Sequence, residues 1–404
     1  MPVIIPQEKI QLWRLRLLYF FVYAGYAFIW PFTPIFVRER GLSGTGIGII
    51  FTCGALAAML AAPVWARMSG SGNRQRRVLQ LICLLNAASF LWFGRQQTLP
   101  ALVLTYVVTC LTGAGLTTIM DMMTVRSLEK TSGAGFGSIR SWGSFGWACL
   151  ALLAGAIIER TSVEIIFIAY AISMATGILL LAGLRVPPAL GTAQTSAERT
   201  PFAKSFEFLK RPAITWVALT LAVTWLTMNG LQNFESIYIK QLGGGETLVG
   251  LASTMGAVIE LFAMPWADRI NRRLGSRKLL ETWLWVRAVS MLVVIIHPST
   301  TSILISRAIT GFAFSFFTVG IVGYITGNTL PHQTATALAL LTTTLKALVD
   351  SAASPLNGLI FDTLGAYWFY VFLLAACLLG WVFVRKAGAE RVRIKTSDPE
   401  GEAL

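Results

Sequence analysis

Arg140 stands inside a run that is otherwise built to lie in hydrocarbon, GFGSIRSWGSFGWACLALLAGAIIE over 135–159. At about 3.6 residues per turn it shares one helix face with Gly143, Ser144 and Trp147. A charge at the centre of a bilayer costs roughly 2.5–3.5 kcal/mol even on insertion scales, so such a residue should face a cavity or a partner. The small neighbours let a ligand or another helix come close to the backbone. The expectation is a cation and an aromatic ring lining a central cavity. The competing expectation is an arginine whose stem carries its charge out to the cytoplasmic interface.

Other ionisable residues lie in similarly apolar surroundings. Lys346 and Asp350 are four residues apart, on one face of one segment. Glu260, Arg287 and Arg307 are each well inside a segment of their own, Glu235 follows Asn229 and Asn233, and Asp121 is late in the fourth apolar run. Any one pair could be a structural salt bridge. As a set, with both signs present in both halves of the chain, they mark a solute or ion path. A carboxylate whose cationic partner swings away can take up and release a proton near neutral pH. Asp350 beside Lys346, and Glu260 within reach of Arg287, are the first candidates, followed by Asp121 and Glu235. His297 and His332 fall in loops, which argues against a histidine relay. Tyr26, Trp30, Asn229, Asn233 and Tyr324 could line the same cavity, with Trp147 the foremost ring. A ring beside a cation suits a sugar, a nucleobase or an aromatic acid.

These charges need elements to hold them. The chain has 404 residues, 55% of them hydrophobic and only 13% charged. Twelve apolar segments can be drawn, from 13–36 to 366–384. They include 99–123 as the fourth and 334–359 as the eleventh, and most reach the ~18 residues that make a spanning helix. They lack the two-residue alternation of a barrel, so the fold class is an all-α polytopic membrane protein. The net charge of +14 would suggest nucleic acid in a soluble protein. Here the basic residues sit in loops: Arg67, Arg74, Arg76 and Arg77 after segment 2, Arg269 to Lys278 after segment 8, and Arg385 and Lys386 at the tail. The positive-inside rule then puts both termini in the cytoplasm, without nucleic acid as a partner. The five cysteines fall in apolar segments and form no CxxC pair, so neither a disulfide framework nor a metal is expected. No cleavable signal peptide is evident, because the first apolar run is too long.

A polar stretch separates six segments from six. The expected organisation is a bundle over 1–184, a cytoplasmic linker over 185–213 with an amphipathic end (FAKSFEFLKR), a second bundle over 214–384 and a cytoplasmic tail over 385–404. PVWAR at 63–67 and PWADR at 265–269 each lead into an arginine-rich loop, an internal echo at half the chain length. Two such halves with a site at their interface is a layout of secondary transporters. No P-loop or HExxH is present, and Gly243 to Gly245 sit in a short loop between apolar segments. Neither an enzyme nor a cofactor is expected, and the energy must come from a gradient.

With six-plus-six segments and basic loops after the second and eighth, the chain resembles the major facilitator superfamily over essentially its whole length. The loop WADRINRRLGSRK is nearer the family pattern than MSGSGNRQRR, which lacks the usual aspartate. FGSIRSWGSFGWA at 136–148 is similar to the helix 5 motif of the branch holding lactose, nucleoside and phenylpropionate permeases. The resemblance implies substrate contact for Arg140 and Trp147. It also implies a helix 4 carboxylate at Asp121, with a one-residue gap, and a functional glutamate at Glu260 within IELFAMP. Arg287 and Lys346 match charged positions of the branch. Helix 10 departs from the pattern: Thr310 and Ala313 stand where lactose permease carries a histidine and a glutamate, so the lactose-type relay is absent.

The expected function is proton-coupled symport of a small organic solute by a monomer in the plasma (inner) membrane. Asp121, Arg140, Trp147, Asn229 and Tyr26 would serve the substrate. Glu260, Asp350, Lys346, Arg287, Arg307 and Glu235 would serve coupling and charge pairing. An exporter of the same fold and a non-transporting sensor remain as alternatives. Arg140→Ala should abolish uptake while leaving expression intact; normal uptake by that variant would remove Arg140 from the site.

Overall fold

In hydrocarbon every backbone N–H and C=O must be satisfied within its own segment, which leaves helices as the spanning element here. The computed structural model describes residues 6–128, 135–186, 211–329 and 331–397, and among these there are helices and no strand. The expected linker lies almost wholly outside the described residues, as does the end of the tail. Eleven helices among the described residues are long and apolar enough to cross a membrane. The last of them, Thr336–Ala387, has 52 residues. At about 1.5 Å per residue that is roughly 78 Å, enough for two crossings. It turns at Gly365, whose φ of 80° is one an L side chain rarely adopts. Eleventh and twelfth spans thus follow one another with no loop between them.

Three expected segments are interrupted. The first is α1 (Pro6–Ile29) and α2 (Thr33–Glu39) with a jog between them, where Pro31 has no N–H to continue the ladder. After α3 (Gly44–Ser69) and α4 (Asn73–Phe93), the fourth is α5 (Leu99–Gly113) and α6 (Leu116–Leu128). The carbonyl freed at that break, of Leu111, accepts the indole N–H of Trp65 at 2.7 Å. A side-chain donor replacing a ladder bond is a recognised cause of a helix break. Then come α7 (Phe136–Arg160), α8 (Ile165–Ala182), α9 (Pro212–Gln241), α10 (Glu246–Leu274), α11 (Ser276–Ile296) and α12 (Thr300–Asn328). The eleventh segment opens with α13 (Pro331–Leu338), passes through a π-helical stretch (Ala339–Thr344) and enters α14 (Leu345–Ser397).

Aromatic clusters knit each set of six spans. Phe36 meets Phe167 with ring centres 4.8 Å apart, and Trp283 meets Phe317 at 5.3 Å. Within lipid such contacts hold helices together by close packing more than by release of water.

The two sets meet along two seams, α3 against α14 and α7 against α10. At the α3 seam the Asp362 carboxylate accepts from the backbone N–H groups of Gly44 and Thr45 at 2.7 and 2.8 Å, with Arg38 3.7 Å away. The Thr52 hydroxyl donates to the Ser351 carbonyl at 2.7 Å. At the α7 seam the Glu159 carboxylate accepts from Thr247 N–H at 3.1 Å, and the Thr254 hydroxyl donates to the Ala148 carbonyl at 2.9 Å. A carboxylate at a helix N-terminus satisfies donors that the helix cannot, and complements its dipole. In register, Thr45, Gly48 and Thr52 each stand 202 residues before Thr247, Gly250 and Thr254. Ala148, Ala151 and Glu159 each stand 203 before Ser351, Ser354 and Asp362. The internal echo seen at Pro63 and Pro265 therefore extends to the contacts between the halves.

These seams run along the end of the bundle away from the termini. The hydrogen bonds found between the two sets lie on α3 from Gly44 to Thr52 and on α7 from Ala148 to Glu159. The backbones approach closely there. A Cβ on Gly48 would sit 2.4 Å from the Ser354 carbonyl oxygen, and one on Gly250 would sit 2.3 Å from that of Ala151. Gly250→Leu should therefore drive α7 and α10 apart. In a background with the native cysteines replaced by serine, a cysteine at Ala151 should become reactive to a bulky maleimide only when Gly250→Leu is present. Equal reactivity with and without the substitution would contradict this packing.

Candidate substrate site

A cavity of about 440 Å³ lies between the two sets of spans. Helical periodicity decides which residues reach it. On α7 the wall is Arg140, Ser144 and Trp147; on α9 it includes Met228, Leu231, Gln232, Glu235 and Ser236; on α10 it includes Ser253, Gly256 and Glu260. Arg287 comes from α11, and Arg307, Thr310 and Phe314 from α12. On each of these helices the lining residues recur at spacings of three and four (228, 231 and 232, then 235 and 236 on α9), the signature of one helix face.

Arg140 is in the cavity and not at the interface. Its guanidinium carbon lies 4.3 Å from the centre of the Tyr23 ring and 5.9 Å from that of Tyr19, within cation–π range. Among the described residues it forms no ion pair. Tyr23 begins an aromatic ladder on α1: Tyr23 to Tyr26 at 5.7 Å, Tyr26 to Trp30 at 5.2 Å, and Trp30 to Trp147 on α7 at 5.8 Å. Tyr23, Trp30 and Trp147 line the cavity, while Tyr26 packs behind them against Tyr170. Asp121 is also behind the wall. It accepts a hydrogen bond from the Tyr19 hydroxyl at 2.5 Å, so it touches the Arg140 environment through that tyrosine.

Across the cavity Glu235, 2% exposed, is ion-paired with Arg307. Losing either partner of such a pair leaves an uncompensated buried charge. Glu260 is different: it lines the cavity, as Arg140 does, with no hydrogen bond or ion pair among the described residues. The expected partner Arg287 shares the cavity but does not pair with Glu260; it lies over Trp283 at 5.1 Å.

Asn229, Asn233, Lys346 and Asp350 fall outside this wall and form a second polar cluster between α9 and α14. Lys346 and Asp350 are ion-paired. Asn229 donates to Asp350 at 3.4 Å and to the Ser354 hydroxyl at 3.0 Å, and accepts from Asn233 at 3.2 Å. Lys346 also lies 5.3 Å from the centre of the Trp225 ring. The amides sit on the face of α9 adjacent to the one that meets the cavity.

Gln232, Ser236, Ser253, Trp283 and Phe314 line the cavity without having been singled out in the sequence. Tyr23 was also passed over, although the spacing of Tyr19, Tyr23, Tyr26 and Trp30 along one helix carried that signal. The neutral residues carried none, since periodicity does not say which face of a fully apolar helix turns inward.

A family model described as MFS_1 like family matches residues 12–372. The chain belongs to this family of transporters. The transporter is 24% identical over 370 residues to a maltose permease of Geobacillus stearothermophilus, covering 90% of this chain and 87% of the permease. It is 26% identical over 377 residues to a raffinose permease of Escherichia coli, covering 86% and 85%. Among solved structures it is similar to a point mutant of the nucleoside transporter NupG, with a TM-score of 0.81 and 13% identity, covering 93% of this chain and 99% of that one. It is therefore an integral, multi-pass membrane transporter of the major facilitator superfamily, a family that binds small molecules to move them and does not transform them.

Proposed function

We propose that this transporter is a proton-coupled symporter of a small organic solute (a sugar, a nucleoside or an aromatic acid), working as a monomer in the plasma membrane. The first six spans (1–184) and the last six (214–384) are its two moving bodies, with 185–213 as the tether. Basic loops put both termini in the cytoplasm. With that orientation, the seam of glycines and carboxylate caps would close the outer side, as expected of an inward-facing state. Rocking the halves about the cavity would open the outer seam and close the inner end.

The observation that carries the reading is the pair Arg140 and Glu260. They face one cavity from opposite sets of spans, they carry opposite charge, and among the described residues neither is fixed in an ion pair. Arg140 and Trp147 are assigned to the solute. Asp121 and Tyr26 position that wall from behind, through Tyr19 and through ring packing. Glu260 is assigned the proton, because it can gain one without breaking an existing bond. Asp350 and Lys346, organised by Asn229, and the Glu235–Arg307 pair supply charge compensation as the halves move.

Proteoliposomes test this with the panel solute that most stabilises the purified protein against heat. An acidic exterior should drive its accumulation in the unaltered transporter. Glu260→Gln should abolish that accumulation, yet still exchange labelled for unlabelled solute when no gradient is applied. Undiminished acid-driven accumulation by Glu260→Gln would contradict the assignment.

A further inference from the structure

Arg287 on α11 is the most secluded cation on the cavity wall. It is 5% exposed, and its Nε has no hydrogen-bond partner among the described residues. Near it lie Cys377, Arg307, Glu235 and Tyr370, the thiol within hydrogen-bonding reach. The thiol is a weak partner. Glu235 is the one carboxylate among the four, and it is already ion-paired with Arg307. The α9–α11–α12 side of the cavity therefore holds two guanidiniums against one carboxylate. Glu260, on α10, forms no ion pair with either guanidinium among the described residues; the pair there is Glu235 with Arg307. A buried cation left without a counter-charge is costly, and it draws whatever anion can reach it.

We propose that Arg287 is the anchor for an anionic group of the transported solute, which makes that solute an organic anion: a carboxylate with an apolar or aromatic body. The inference rests on the transporter reading above and narrows its solute class. A planar guanidinium takes a carboxylate through two parallel N–H···O bonds, a geometry that a neutral hydroxyl does not reproduce. The rest of the lining suits the body of such a molecule. Trp30 and Trp147 stand on one side, Met228 and Phe314 on the other, with Trp283 beneath the guanidinium itself. A neutral sugar filling the same space would leave the excess positive charge uncompensated.

The test compares matched pairs on the full-length purified protein at constant ionic strength: benzoate with benzamide, 3-phenylpropionate with 3-phenylpropanamide, and indole-3-acetate with its amide. Methyl maltoside is added as a neutral sugar. Each pair has the same shape and differs in charge. The carboxylate of at least one pair should bind roughly 10- to 100-fold more tightly than its amide, the range expected for a hydrogen-bonded charge. Arg287→Gln should remove that preference, and Arg287→Lys should restore part of it. The wild-type comparison needs no variant, so a misfolded Arg287→Gln leaves the test intact. Stabilisation by none of the carboxylates, or equal stabilisation by acid and amide in every pair, overturns the proposal. So does binding of methyl maltoside in preference to every carboxylate, which would leave the transporter reading standing. Failure of proteoliposomes to move any bound compound would remove the transporter reading without touching the acid-against-amide comparison.

Discussion

A guanidinium or carboxylate at mid-bilayer depth must meet either another protein group or water, because lipid offers it neither hydrogen bonds nor dielectric screening. Most of the internal architecture follows from that constraint. Glu235 and Arg307 neutralise each other, and Lys346 and Asp350 do the same within a net of asparagine and serine side chains. Arg140, Arg287 and Glu260 also line the cavity, beside the Glu235–Arg307 pair, and form no ion pair among the described residues. The cavity is thus where the charge balance of the bundle is left open, and a solute and a proton are what could complete it.

The second constraint is mechanical. Two bodies that rock as proposed must touch closely yet separate cheaply. Glycine at Gly48 and Gly250 lets backbones come together over a short length without interlocking side chains. Asp362 and Glu159 tie those contacts with bonds to helix N-termini. The same contact recurs in the α3–α14 and α7–α10 seams at a constant register. A symmetric contact of this kind would favour opening about an axis between the seams over shearing one of them, the movement that the proposed alternating access needs.

Much of this was legible in the sequence. Arg140, Ser144 and Trp147 on one helix face, buried charges in both halves, and the echo at Pro63 and Pro265 were readable from spacing alone. The helical class and the membership of the superfamily followed from segment lengths and the helix 5 pattern. What could not be read depended on rotation and on partners distant in sequence. Asn229 lies one position away from Met228 yet on a different face, and no periodicity within α9 separates them. Arg287 looked like a partner for Glu260 because each had the opposite charge, but α11 turns it onto Trp283. The break between α5 and α6 is made by Trp65, about fifty residues earlier in the chain, a donor no local pattern announces.

The proposed mechanism requires one cavity that is shared between two rocking bodies and is presented to one side at a time. Pulsed electron–electron double resonance tests this most directly. One spin-label pair at Ser43 and Thr363 would report the closed seam, and another at Val125 and Thr326 the opposite end. On lowering the pH with a stabilising solute present, the first distance should lengthen in the same fraction of molecules in which the second shortens. Distances that stay fixed under every condition, or that lengthen together, would contradict the rocking of two halves about this cavity.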